Sequence, residues 1–417
     1  MPFEFNQEQL QLADAIKRWV GRDYTFETRR AIVRSPAGVS DAAWATIAEL
    51  GLTALPVPEE HGGFGGDALD LFVVMRELGR GLVVEPYLAT ALGAEFLRLG
   101  GAHGALLERV AGGTLKLACA LGERAARHDP FEIATRAEPL GDGRFRLHGA
   151  KTAVPHGAEA DLLVVSARLD DGVRQRRSDD VRDGDGVALF ALPAASPGLG
   201  ITGYRTVDGQ RAAGIVLDGV EAGPEAALGR PGAAGALLDA GCDHGVGLLC
   251  AEALGAMEAL FEATLDYLKT RRQFGAPIGG FQALQHRMAD MAIHLEQARS
   301  LALLAALTLA RTRAGPDRVA VASRRRAVSA AKYRVGQAAR FIGQNAVQLH
   351  GGMGVTDELP VSHYFKRLSA IELTLGDAGH HLERFIAQPG FREDDAAPAA
   401  VGAEAEAEAG VRAGAAA

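Results

Sequence analysis

The stretch IELTLGDAGHHLERF, Ile371 to Phe385, sets the carboxylates Glu372, Asp377 and Glu383 beside the adjacent pair His380–His381. Those side chains can take up or release a proton, and a carboxylate held in a dry pocket can serve as a base at the working pH. Asp377 is the candidate base and Glu372 the next; the alternative role for Asp377 is to start a helix, where an acid suits the dipole. Neighbouring helical residues point about 100° apart, so the two histidines are not expected to act on one atom. No acid or thiol completes a metal set with them, and no metal is expected.

Two further segments carry chemistry. TRRQFGAPIGGFQALQHRMADM, Thr270 to Met291, places arginines and an aromatic at a helix end before a Gly/Pro turn. QLHGGMG, Gln348 to Gly354, closes another helix with a glycine cluster. Arginine beside backbone freed by glycine suits a pyrophosphate, although each segment alone also reads as a plain loop between bundle helices.

The elements that must position these residues fall into three textures. Asn6 caps a helix carrying Leu10, Ala13, Ile16 and Val20, with Gln9 at its third position. Ser40 starts another, with Trp44, Ile47 and Leu50 on one face, and a third runs from about Ala68 to Leu78, stopping at Gly79. Between them, PVPEEHGGFGG (Pro56–Gly66) is Gly-rich but lacks the strand–turn–helix setting of a dinucleotide fingerprint. Past residue 114 come short β-rich runs, LKLACAL, RFRLHGAKTAV, ADLLVVSAR, GVALFAL and GIVLDGV, which predict a small antiparallel sheet or barrel. Residues 169–186 are a charged loop expected to be a solvated excursion. Long Ala-rich helices over 232–272, 280–312 and 318–349, with a shorter one after 361, predict a four-helix bundle, with Arg324–Arg326 on its wet face. The fold class is α+β: helical domain 1–114, β domain 115–229, helical bundle 230–390 and a disordered low-complexity tail 391–417.

Composition bounds the function. The 417 residues are 48% apolar and 23% charged, as in soluble globular proteins, and the net charge of −8 leaves no basic footprint for nucleic acid. Cys119, Cys242 and Cys250 form no CxxC pair, which fits a reducing cytoplasm. The N-terminus lacks a signal-peptide pattern, and the longest apolar run, residues 301–310, is too short for a membrane span. A cytoplasmic location is expected.

In this order, the Arg271 and Gln348 segments and VPEEHGGFGG resemble the acyl-CoA dehydrogenases over roughly residues 5–388, and the pattern is most similar to the small-subunit type of the pimeloyl-CoA dehydrogenases. The resemblance implies FAD, an acyl-CoA substrate undergoing α,β-dehydrogenation, an electron-transfer flavoprotein as acceptor and a homo- or heterotetramer. In the family a Glu-Gly-Thr motif supplies the base; here Leu375–Gly376–Asp377 falls there, and a one-residue slip gives Gly376–Asp377. Members with the base on the first C-terminal helix carry it where this chain has Gly245, beside Val246. The Thr-Glu-Pro loop corresponds to GERAARHD, which keeps Glu123 and Asp129 without the hydroxyls, and the Trp-Ile-Thr segment to Ala153–Val154–Pro155. By resemblance, Arg271, Gln273, Phe274, Gln348, Gly351 and Gly352 are the cofactor-binding residues, and these the family lends to the neighbouring subunit's FAD. The expected function is therefore a base-lacking partner subunit. The alternatives are an active homo-oligomer using Asp377, a related flavin oxidase and a non-enzymatic scaffold.

Overall fold

The computed structural model describes residues 4–101, 103–170, 186–313 and 317–389. The charged stretch 171–185 and the tail from residue 390 lie outside the described residues.

The chain begins with helices α1 (Gln7–Arg22), α2 (Phe26–Arg34), α3 (Asp41–Glu49), α4 (Ala68–Arg80), α5 (Tyr87–Gly100) and α6 (Gly104–Ala111). Their starts are set by side chains. Asn6 accepts the Gln9 N–H at 2.8 Å while the Gln9 amide oxygen accepts the Asn6 N–H at 3.0 Å, a reciprocal capping box. Ser40 accepts the Ala43 N–H at 3.2 Å. Apolar residues of α4 and α5 are buried against the C-terminal helices, so the first helical layer shares one core with the bundle.

The middle strands are β1 (Leu117–Ala120), β2 (Arg136–Pro139), β3 (Phe145–Pro155), β4 (Leu162–Leu169), β5 (Val187–Pro193), β6 (Leu199–Arg205) and β7 (Arg211–Ala222). The expected all-antiparallel sheet is corrected to a mixed one. One edge of β4 pairs antiparallel with β5, while the other pairs parallel with β1 over Leu162–Val165 and with β2 over Arg168–Leu169. Strands β2, β3, β7 and β6 continue the sheet antiparallel. Parallel pairing joins segments far apart in sequence, so no local turn signal announces it.

The bundle comprises α7 (Gly235–Thr270), α8 (Gln282–Thr312), α9 (Arg318–His350), α10 (Pro360–Leu373) and α11 (Ala378–Ile386). A hairpin of two-residue strands, β8 (Arg272–Gln273) and β9 (Ala276–Pro277), leads from α7 towards α8. Arg324 is not on a wet face. It is 5% exposed and donates to both Asp239 and Asp243 of α7, while Arg384 of α11 pairs with the same two carboxylates. The two aspartates stand one turn apart on α7 and face three guanidinium groups, since Arg325 also reaches Asp239 at 3.0 Å, which is what lets these charges be buried.

Candidate functional site

The turn from α10 to α11 holds the residues aligned with the base motif. Leu375 has φ +53° and Gly376 φ +102°. A leucine in the left-handed region costs about 1–2 kcal/mol, so its surroundings must impose the conformation. They do so through backbone carbonyls. From α9, the buried Lys332 ammonium donates to the carbonyls of Ile371 (2.9 Å), Glu372 (3.0 Å) and Gly376 (2.6 Å). From α11, His381 donates through Nε2 to the Leu375 carbonyl at 2.9 Å.

Held in this way, the Leu375 side chain lies over Gly245 of α7. A Cβ built on Gly245 would stand 2.7 Å from Leu375 Cδ1 and 3.1 Å from Leu92 Cδ2. Leu375 packs on an apolar cluster that includes Leu92, Cys119 and Cys242. Leu375, which the ungapped register aligns with the family's base, therefore touches Gly245, the other aligned position, and Gly245 could not carry a glutamate unless Leu375 moved.

Asp377 lies on the other side of the turn as the N-cap of α11, its Oδ1 accepting the His380 N–H at 2.8 Å. His128 Nε2 is 3.5 Å from Oδ2. The backbone bond from His380, followed by the nearby imidazole of His128, holds this carboxyl below its ordinary range. A base for an α-proton needs the opposite shift. Asp377→Asn should preserve the cap and leave thermal stability nearly unchanged, whereas Asp377→Ala should cost about 1 kcal/mol in denaturant melts. Glu372 is buried, with Oε1 accepting the Ala378 N–H at 3.3 Å and facing Arg340 at the same distance. It braces the same turn.

His380 and His381 meet edge to face, with ring centroids 5.1 Å apart. Burial pushes His381 down to about 2, so it stays neutral in the folded chain. The ordinary imidazole value of 6.5 returns on unfolding. Below that pH the unfolded chain takes a proton that the folded chain refuses, so stability is complete above 6.5 and is lost as pH falls towards the folded value. The contribution should disappear at about 1.4 kcal/mol per pH unit. Urea melts from pH 6.5 down to about pH 5 should show a smaller loss for His381→Gln than for the natural chain. Equal losses would mean another group carries the acid sensitivity.

In the β region, Glu123 and Lys151 are joined at 2.7 Å and buried together. Lys151 also reaches Ser166 at 2.9 Å, and Glu123 accepts the Thr135 hydroxyl at 2.7 Å. Both charged groups are consumed in tying β3 and β4 to the 122–135 loop. Ala153, aligned with the tryptophan that flanks the ring in the family, has φ +51°. Nearby, Leu88, Pro155, His156, Leu249 and Thr374 line a cavity of about 60 Å³. Small-molecule pockets run from about 300 to 1,000 Å³. At this size the cavity admits a few waters.

The far end of the bundle has the opposite character. Arg271 caps α7, its N–H bonding the Tyr267 carbonyl at 2.8 Å, and no carboxylate among the described residues pairs with its exposed guanidinium. Phe274 and Gly275 turn the β8–β9 hairpin with φ +53° and +81°. Phe274 is 89% exposed. A strained backbone carrying an aromatic ring into water is costly unless something covers the ring. Gln348, Gly351 and Gly352 are exposed at the end of α9, and Tyr267 stacks on His350 at 4.3 Å, joining the two helix ends. The six residues that the sequence singled out for the cofactor are all exposed, at and just beyond the ends of α7 and α9, and an arginine beside open glycine backbone is chemistry that suits a pyrophosphate. Sequence reasoning overlooked Lys332. Its signal was a lysine between Val328 and Val335 on the apolar face of an otherwise alternating helix.

Comparison with known proteins is consistent with this architecture. The model of the acyl-CoA dehydrogenase N-terminal domain matches residues 6–103, and that of the acyl-CoA dehydrogenase C-terminal domain matches 238–388. Acyl-CoA dehydrogenase IpdE2 of Mycolicibacterium smegmatis is 28% identical, covering 92% of this chain and 99% of the relative. The human mitochondrial short-chain specific acyl-CoA dehydrogenase is 27% identical over 81% of each chain. Among solved structures, a variant of the Tcur3481–Tcur3483 steroid ACAD is 30% identical with a TM-score of 0.79, covering 91% of this chain and 96% of that one. The ChsE4–ChsE5 complex from Mycobacterium tuberculosis is 26% identical with a TM-score of 0.79, covering 92% and 97%. Matched at both ends by its domain models and along nearly its whole length by its members, the chain belongs to the acyl-CoA dehydrogenase family of FAD-dependent oxidoreductases.

Proposed function

We propose that this chain is the base-lacking partner subunit of a heteromeric acyl-CoA dehydrogenase. The observation that carries the reading is the contact of Leu375, which the ungapped register aligns with the family's base, with Gly245, the other aligned position. A related catalytic subunit supplies the carboxylate that takes the α-proton of the thioester, and FAD, when bound, supplies the acceptor for the β-hydride. This chain contributes the surface of Arg271, Gln273, Phe274, Gln348, Gly351 and Gly352, with the guanidinium meeting the pyrophosphate of an FAD held mainly by that subunit. Support also comes from the similarity to one chain of the ChsE4–ChsE5 complex, a structure that contains two named components. The natural acceptor is an electron-transfer flavoprotein, the assembly is a heterotetramer, and the site of action is the cytoplasm. Among the described residues no helix is long and apolar enough to cross a membrane.

The test is a visible spectrum of the purified chain, alone and co-expressed with a candidate catalytic subunit. Alone, the chain should be colourless and inactive on acyl-CoA substrates; the complex should be yellow and active. A yellow homo-oligomer turning over an acyl-CoA at about 10 per second would overturn the proposal.

A further inference from the structure

A cleft of about 370 Å³ opens between α2, the turn from β6 to β7 and the start of α10. Its volume falls within the range of small-molecule sites, and it is separate from the Arg271 surface. Five cationic side chains line it, Arg29, Arg30, Arg34, Arg205 and Lys366, against the carboxylates Asp208 and Asp357. The balance is less even than that count suggests. Asp208 already accepts from Arg367 at 2.9 Å and from the Gln210 N–H at 3.3 Å. Asp357 is shared by Arg34 at 3.2 Å, Lys366 at 3.8 Å and the ring of His363 at 3.1 Å.

Arg29 is buried and serves as the floor. It donates to the carbonyls of Leu82 and Asp208 and to His363 Nδ1. The others have donors to spare. Arg30 Nε is buried without an acceptor among the described residues, although the same guanidinium reaches Glu27 through another nitrogen. Among the described residues Arg205 reaches the Val33 carbonyl alone, at 3.3 Å. In a chain of net charge −8, a concave site whose cationic side chains outnumber its carboxylates calls for an anion.

We propose that this cleft binds a phosphate-bearing small molecule, with Arg30, Arg34, Arg205 and Lys366 as its anion contacts. Guanidinium forks match the oxygens of a phosphate in two-point contacts, and a lysine adds a point charge. The volume exceeds a single phosphate, so a diphosphate, free or as the end of a nucleotide, is the matching chemistry.

The experiment is isothermal titration calorimetry on the full chain with inorganic pyrophosphate and, separately, with ADP, comparing the natural sequence with the Arg205→Gln/Lys366→Gln double variant. Pyrophosphate should bind the natural chain and lose about 10-fold or more in affinity in the variant, with the melting temperature unchanged. ADP binding more tightly than pyrophosphate, with the same loss, would identify a nucleotide as the source of the diphosphate; equal affinities would identify the free anion. Absence of heat with both ligands, or binding that the double variant leaves intact and Arg271→Ala removes, would overturn the inference. The last outcome would leave the lent-contact reading standing.

Discussion

Arg271→Ala, placed in a complex with the catalytic subunit, should lower FAD retention by about 10-fold or more while leaving the melting of the isolated subunit unchanged. A charge-assisted hydrogen bond to a phosphate is worth about 1.5–3 kcal/mol, which sets the size of the first effect. The second follows from geometry. Arg271 ends α7 through its backbone, has an exposed side chain and makes no ion pair among the described residues, so truncation removes nothing the fold depends on. Flavin content per complex, read from the absorbance ratio after gel filtration, measures the first effect, and a melt of the isolated chain measures the second. Full flavin content in the variant complex would mean that the guanidinium does not meet the cofactor. A lower melting point for the isolated variant would make Arg271 a structural residue instead. Phe274 offers an independent check because its ring is nine-tenths exposed on a left-handed backbone. Phe274→Gly should relieve strain in the isolated chain while weakening assembly with the partner.

What could be read from the sequence follows the range of the interaction involved. Asn6 with Gln9, and Ser40, announced helix starts because a cap is decided within four residues. The Arg271 and Gln348 segments were legible because glycine, arginine and an aromatic at a helix end form a local pattern. Strands β2 and β6 were not anticipated, since neither carries a clean apolar alternation; β6 is exposed along most of its length. The arginines at 324–326 looked like a solvated face because the carboxylates that bury Arg324 lie more than eighty residues earlier in the chain. The sequence also suggested the loss of a base at two separate positions. Only the fold shows that these are one place, with Leu375 lying on Gly245 across 130 residues of chain. A leucine in contact with a glycine at such separation leaves no periodic or compositional trace.

The largest loss of stability is expected for Lys332→Met. The carbonyls of Ile371 and Glu372 belong to the last turn of α10, where Ile371 also accepts the Thr374 N–H at 3.2 Å, and the Gly376 carbonyl lies in the turn beyond. Lys332 satisfies all three at once. Methionine fills the space of the stem, leaves Ile371 with the Thr374 N–H alone and strips the Lys332 donor from the Glu372 and Gly376 carbonyls, at about 1–3 kcal/mol for each of these two. Against this, burial penalises the ammonium itself and pushes Lys332 down to about 8 from 10.5, so removing the charge returns part of the loss. Two orphaned carbonyls outweigh one partly neutralised cation, and a net cost of about 2–4 kcal/mol is expected near neutral pH. The pH dependence separates the two contributions. Between 8 and 10.5 the folded chain releases the Lys332 proton while the unfolded chain keeps it, so the natural chain gains stability from this group as pH rises through that window. The methionine variant lacks that gain, so the difference between the two chains in denaturant melts should widen from about pH 8 to about pH 10. A constant difference would mean that the folded and unfolded chains hold the Lys332 proton alike, so that burial does not depress this group, and an undestabilised variant would show that the Leu375 turn is held by packing and His381 alone.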